Sequence, residues 1–274
     1  VFYSGGLMSW AAGKRAVEKY GAENTTLLFT DTLIEDADLY RFLEEGAADI
    51  GAPLVRVAEG RTPWEVFRAE KLIGNTRADP CSKILKRQPG LAWLKENTDP
   101  LNTVLVFGIH WEEQERLVTV DREGRARGVR PRYVALGWPN VEAPMCDSPW
   151  LTVGDIKAWA ESCGLRIPRL YGMGFSHNNC GGFCIKAGEG HFHRLLSTLP
   201  EVYAHHEAQE DAFNASRPGK RRQTVLAPER MIDGKRRRVP MSLREFREAV
   251  PVDHQINLFD VGGCGCFLDE PEAA

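Results

Sequence analysis

Long apolar runs are missing from this chain. The unbroken ones are short, such as VLVF at residues 104–107, against the roughly 20 residues that a membrane helix needs. There is no basic-then-apolar leader, no internal repeat, no low-complexity tract and no GxxxxGK[ST] phosphate loop. A membrane-spanning helix, a repeat array and a Walker-type nucleotide site are thereby excluded, and a cytoplasmic protein is expected. The chain opens without methionine, in what reads as the end of a strand, so further native residues are expected before it. Net charge is also scarce, at −3, and by itself points to no partner. What is present is a composition of 43% hydrophobic and 27% charged residues over 274 positions, enough for a large core and unlike a disordered or fibrous chain.

The first third alternates strand and helix patterns. Residues 1–3 read as a strand end and 8–20 as a helix stopped by Gly21, with Gly13 expected to let that helix lie close on a sheet. Residues 26–30 and 54–57 are short apolar strands, and between them Leu39, Phe42, Leu43, Ala47 and Ile50 recur at helical spacing up to Gly51. Thr62-Pro63-Trp64-Glu65 is a capping box with proline at the first helical position. Residues 104–107 form a fourth strand ended by Gly108. Strands this apolar, separated by helices, predict an α/β fold with a doubly wound, mostly parallel sheet covered on both faces. Ligands in such sheets sit at the carboxyl ends of the strands, which directs attention to the loops at 4–9, 31–35 and 108–116.

Further on, Thr152 opens another helix with Ile156, Trp159, Ala160 and Cys163 on one face, so Cys163 is expected in the core and Cys146 in an ordinary loop. Residues 165–190 read as a glycine-rich, cysteine-bearing loop, 191–215 as one helix with His205 and His206 on its surface, and 225–239 as a hairpin around Asp233-Gly234. His191 and His193, two apart, do not share a helix face, and none of these histidines is expected to be a ligand. Ser242 caps a last short helix. The expected division is a nucleotide-binding α/β domain over 1–164 and a cysteine-rich helical and hairpin extension over 165–274.

The loop Ser4-Gly5-Gly6-Leu7-Met8-Ser9 carries the chemistry. Glycines let backbone N–H groups approach an anion, the following helix adds its positive end, and Ser4 and Ser9 offer hydroxyls. An ordinary tight strand-to-helix turn is the alternative for these residues alone; Asp31-Thr32, ending the next strand, weighs against it. SGGLMS resembles the SGGxxS signature of the PP-loop, or adenine nucleotide α-hydrolase-like, superfamily. FTDTLIEDADLYRFL (29–43), ADPCSKILKRQP (78–89) and GIHWEEQER (108–116) are similar to segments of its phosphoadenosine phosphosulfate (PAPS) reductase branch, so that the resemblance spans roughly residues 1–190. It implies that Ser4, Gly5, Gly6 and Ser9 hold phosphates, that the backbone near Phe29 and Gly108 embraces the adenine of ATP or a PAPS-like nucleotide, and that Asp31 with Thr32 holds Mg²⁺ or the ribose. Lys86, Arg87 and Arg116 would neutralise phosphate charge. One departure concerns ATP cleavage: Met8 stands where pyrophosphatase members have aspartate, and a thioether does not ligate Mg²⁺ as an oxygen does.

The seven cysteines are odd in number in a chain that needs no disulfide staples. Cys180 and Cys184 form C-x3-C, Cys264 and Cys266 form C-x-C, and Cys81 follows Asp79-Pro80. Cys81, Cys180 and Cys184 with Cys264 or Cys266 would supply four thiolates for a four-iron, four-sulfur cluster or for zinc; with Cys264 as the ligand, Cys266 is left as a nucleophilic or sulfur-carrying thiolate, and unrelated buried thiols are the alternative. A cluster is what the resemblance to adenylyl-sulfate reductases implies, with a single cysteine here in place of their first pair. From Arg217 to Arg238 the chain carries nine Lys/Arg and two Asp/Glu, a net of +7. That run is either a solvated hairpin or a clamp for nucleic-acid phosphates. Three functions follow: ATP-dependent adenylation of an acceptor, possibly a nucleic acid, coupled to sulfur insertion; reduction of a sulfonucleotide, although the chain ends in CGCFLDEPEAA rather than a Glu-Cys-Gly-Leu-His tail; or a non-catalytic binding subunit of a modification or defence complex. The first two call for a sulfur donor or reductant protein.

Overall fold

The computed structural model describes residues 1–74 and 79–249. Helix α1 (Leu7–Tyr20) follows directly on the N-terminal segment and stops at Gly21. Strand β1 (Leu27–Asp31), helix α2 (Ala37–Ile50), capped by the Asp36 carboxylate and closed by Gly51, and strand β2 (Leu54–Ala58) come next. Helix α3 (Pro63–Glu70) begins at the Thr62–Glu65 capping box that its sequence announces. Then α4 (Pro80–Ser82), a π-helical turn (Lys83–Arg87) and α5 (Gln88–Asn97) run on as one helical stretch. Pro89 accounts for the wide turn: it has no N–H for the Leu85 carbonyl, and its ring would strike that carbonyl in a regular helix. Gln88 N–H instead reaches back to the Lys83 carbonyl.

Strand β3 (Leu105–Val106), the small hairpin β4 (Thr119–Val120) and β5 (Ala126–Arg127), helix α6 (Val129–Ala135) and strand β6 (Val141–Glu142) follow. β1 pairs with β2 and β3 with β6, both parallel, and Phe2 bridges in parallel to Leu28 on one side and Phe107 on the other. Phe2 N–H donates to Val106 O at 2.9 Å and Tyr3 N–H to Leu28 O at 2.9 Å. The order is therefore β2, β1, residues 1–3, β3, β6, and the winding reverses between residues 1–3 and β3. Alternate residues serve opposite faces. Tyr3, Leu27, Phe29 and Val106 pack with α1, α2 and α7 (Val153–Ser162). Phe2, Leu28, Leu105 and Phe107 pack with Leu94 of α5 and Tyr133 of α6. This is the α/β, doubly wound arrangement the apolar strands predict. Gly13 makes room chiefly for α2: a Cβ there would lie 2.7 Å from Ile50 Cδ1, and 3.5 Å from Leu27 of the sheet.

The remaining helices are α8 (Arg169–Gly172), α9 (Glu189–Thr198), α10 (Pro200–Ala215) and α11 (Leu243–Ala249), with the hairpin β7 (Glu229–Ile232) and β8 (Lys235–Arg238) before α11. A third core joins Trp64 and Phe67 of α3 to Phe183, Phe192, Tyr203, Phe213, Leu243 and Phe246. Two expectations are corrected here. The single helix over 191–215 is two, because Pro200 has no N–H to continue a helix and excludes the α conformation at Leu199, whose φ and ψ are −135° and 62°. His206 is not on the surface: it is 4% exposed, its ring stacks on Phe183 at 3.7 Å, and its Nδ1 accepts Trp64 Nε1–H at 2.8 Å. Cys163 is half-buried against the first core, and Cys146 lies in a loop with its thiol on Ile109 O. Of the cysteines in the expected extension, Cys180 and Cys184 are described, while Cys264 and Cys266 lie outside the described residues. Among the described residues no helix is long and apolar enough to cross a membrane.

Burial holds His206 neutral, with its pKa lowered to about 3. A depressed folded-state pKa gives stability that is complete above the unfolded value of about 6.5 and is lost as pH falls below it. Urea denaturation at pH 7.5 and pH 5 is expected to show the wild type losing more stability on acidification than His206→Phe, which keeps the stacked ring without the titration. Equal losses would remove His206 as the acid-sensitive group.

Candidate functional site

At the point where the winding reverses, a cavity of about 630 Å³ opens at the carboxyl ends of the strands, the size of a small-molecule site. Ser4, Gly6, Met8 and Ser9 line it from the loop into α1, Phe29 and Thr30 from β1, and Gly108, Glu112, Glu113 and Arg116 from the segment after β3. The loop is shaped by one hydroxyl. Ser9 Oγ accepts from Ser4 N–H at 3.1 Å and Gly6 N–H at 3.3 Å, and donates to Gly6 O at 2.9 Å. Gly5 adopts φ +72°, and a Cβ there would meet Leu39 at 2.9 Å. Gly108 has to be glycine for a different reason: a Cβ would stand 2.6 Å from the Ser9 backbone, so the loop after β3 presses directly on the start of α1.

Residues distant in sequence close over this loop. Arg169 grips Asp36 at 2.6 Å, and its N–H bonds Asp38 at 2.7 Å, which brings the 169–180 segment across. Tyr171 Oη then accepts Leu7 N–H at 3.3 Å, and Asn178 Nδ2 donates to Gly5 O at 3.2 Å. Asn178 is 1% exposed, and its Oδ1 has no partner among the described residues; the same holds for Arg116 Nε and His177 Nδ1. All three residues line the cavity. Buried polar atoms left without partners are costly unless a ligand or water meets them. Tyr171 and Asn178 carry no motif, and sequence reading does not single them out; His177 belongs with the histidines that the sequence gives no reason to expect as ligands.

The sequence-predicted residues fall into three groups. Ser4, Gly6, Ser9, Phe29, Gly108, Lys86 and Arg116 line the cavity, with Gly5 in the loop itself. Asp31 and Thr32 do not line it. The fully buried Asp31 carboxylate is occupied by Arg56 at 2.8 Å, Tyr40 Oη at 2.9 Å and Leu33 N–H at 2.8 Å, while Thr32 donates to Glu35 at 2.9 Å. The third group is the cysteines. Cys81, Cys180 and Cys184 lie near enough for the charges of Cys81 and Cys184 to act on Cys180.

Lys86 connects the cavity to these thiols. Buried on the π-helical turn, it pairs with Glu35 at 3.6 Å, and the other Glu35 oxygen accepts the N–H of Cys180. Arg87, also buried, turns instead to Asp79 at 2.7 Å, which Lys186 meets at 3.3 Å. Burial, then Asp79, pushes the Cys81 thiol up to about 11, with Lys86 and Lys186 opposing; burial pushes Cys180 well above its ordinary value. Among the described residues no three His, Cys, Asp or Glu side chains are arranged to hold a metal ion.

No protein-family model matches the chain, and neither does any curated protein. Among solved structures it is similar to the phosphoadenylyl-sulfate (PAPS) reductase from Candida auris in its phosphate complex, at 14% identity and a TM-score of 0.39, over 64% of this chain and 75% of that one. A likeness that distant adds no weight to the assignment of individual residues, which rests on the geometry above.

In Gly6→Val the added branches would crowd Tyr171 Oη, 3.2 Å from the Cβ position, and the space over the loop. Calorimetric titration with an adenine nucleotide is expected to show at least about tenfold weaker binding, with an unchanged far-ultraviolet spectrum. Unaltered affinity would refute the loop as the phosphate cradle.

Proposed function

We propose that this chain is an enzyme that binds an adenine nucleotide on the Ser4–Ser9 loop and carries out sulfur chemistry at the nucleotide's phosphate end. The observation that supports this reading is the position of Lys86. A single buried cation lines the cavity and, through Glu35, adjoins the backbone of Cys180. A site suited to phosphate and a set of thiols thus share one charge.

The cavity favours reduction of a sulfonucleotide. Met8 offers no hard oxygen for Mg²⁺, and the Asp31 carboxylate is already engaged. Lys86 and Arg116, which line the cavity, offer positive charge to phosphates that are already present. In this chemistry a cysteine thiolate, expected from Cys266, attacks the sulfate sulfur. An S–S bond forms, the S–O bond to the phosphate breaks, and the nucleotide leaves with the electron pair on its phosphate oxygen. Lys86 and Arg116 would stabilise that developing charge. A second thiol then displaces sulfite, and a dithiol reductant protein returns the resulting disulfide to thiols. Glu112 and Glu113, which line the same cavity, favour a second reading, in which they hold Mg²⁺ and ATP is cleaved to adenylate an acceptor for sulfur insertion.

The thiols suit a cluster or zinc in kind, although the described side chains by themselves form no metal-holding group. Cys81, Cys180 and Cys184 would be ligands, and Cys264 is the expected fourth. A bound four-iron, four-sulfur cluster or zinc would supply a cationic centre that keeps these buried thiols deprotonated.

Two assays test the reading. With PAPS and a dithiol, sulfite release is expected, and Lys86→Gln should lower turnover by about 10²-fold or more. Pyrophosphate release from ATP would instead establish the second reading, and inertness to both nucleotides would overturn both. For the thiols, Cys180→Ser is expected to lose the iron or zinc of anaerobically purified protein. Full metal content in that variant would dismiss this ligand set.

A further inference from the structure

The hairpin β7–β8 stands outside the three cores: all eight of its strand residues are exposed. Asp233 and Gly234 turn it with φ of +51° and +70°, the paired positive values that suit strand twist in a two-residue loop. Its register sets Glu229 opposite Arg238, Arg230 opposite Arg237, Met231 opposite Arg236 and Ile232 opposite Lys235. One face therefore carries Arg230, Lys235 and Arg237, and the other Arg236 and Arg238. Cations occupy both faces.

The arrangement is costly in isolation. Arg237 lies directly across from Arg230, and like charges in that position destabilise a strand pair. Arg230 is offset by Glu189 of α9. For Lys235, Arg236, Arg237 and Arg238, no carboxylate among the described residues comes within ion-pair distance. These four consecutive cations sit in a segment of net +7, within a chain of net −3.

We infer that β7–β8 is a docking ribbon for duplex DNA. A polyanion of closely spaced charges is what unpaired clustered cations attract. The major groove of B-form DNA, roughly 12 Å wide, admits a two-stranded ribbon, and a ribbon basic on both faces meets the phosphates of both groove walls. Met231 and Ile232, exposed beside the turn, offer apolar contact of the kind a thymine methyl takes. A-form RNA has a major groove too deep and narrow for such an element. A membrane surface calls for cations on one face and apolar residues on the other, which this hairpin does not have. The inference is independent of the reaction proposed for the cavity.

The test is fluorescence anisotropy of a short labelled DNA duplex with the whole chain, over a series of salt concentrations. The expected slope of log K against log salt is roughly −3, for about three to four phosphate contacts. Replacing Lys235, Arg236, Arg237 and Arg238 together by threonine keeps strand propensity. That variant is expected to bind about tenfold or more weakly at low salt, with a flatter slope and an unchanged thermal midpoint. Arg236→Lys, Arg237→Lys and Arg238→Lys combined should keep the slope. The inference is overturned by no duplex binding in the wild type, by unchanged binding in the threonine variant, by equal affinity for an RNA duplex, or by binding to anionic vesicles in place of DNA.

Discussion

The structure depends on how closely two loops approach at the reversal of the sheet. Residues 1–3 lie between β1 and β3, so the chain leaving them and the chain leaving β3 emerge side by side. Gly108 packs against the backbone of Ser9 with no space for a Cβ, and the Ser9 hydroxyl gathers Ser4 and Gly6 around itself. Neither contact is strong alone, since a neutral hydrogen bond contributes about 1 kcal/mol net. Together they fix the backbone at the start of α1, where the Ser4 and Gly6 N–H groups are bonded to Ser9 Oγ and the Leu7 N–H to Tyr171 Oη.

The second organising contact is the buried pair of Lys86 and Glu35. A buried ion pair gives back in attraction much of what its desolvation costs, and it contributes less to stability than to position. Here it ties the helical stretch before α5, the turn after β1 and the Cys180 segment into one assembly. Asp79 makes the same kind of tie between Arg87 and Lys186. The cavity and the thiols are thus two ends of one ion-paired layer.

Legibility in the sequence followed range. The apolar strands, the Thr62 and Thr152 capping boxes, the stops at Gly21 and Gly51 and the Asp233-Gly234 turn are decided within a few residues, and each reads directly from the chain. The turn into α1 was equally plain, because the glycines and serines that shape it stand together in the chain. The partners that complete the site were not legible. Tyr171 meets Leu7 across 164 positions and Asn178 meets Gly5 across 173; away from the site, in the third core, Trp64 reaches His206 across 142. Asp31 is held by Tyr40 and Arg56, an engagement its sequence context does not show. Nothing local announces such pairings; they come from tertiary packing.

The wide turn before Pro89 alters which side chains share a side of the helix. In a regular α-helix Cys81 and Lys86, five positions apart, would point about 140° away from each other around the axis. A stretch closed by five-residue hydrogen bonds winds less per residue, and the angle narrows. A thiol and an ammonium that regular winding would keep apart are drawn together closely enough for one charge to act on the other. Through helix pitch the proline thereby adds one cation to the surroundings of a cysteine, opposing the burial and the Asp79 charge that act on it more strongly.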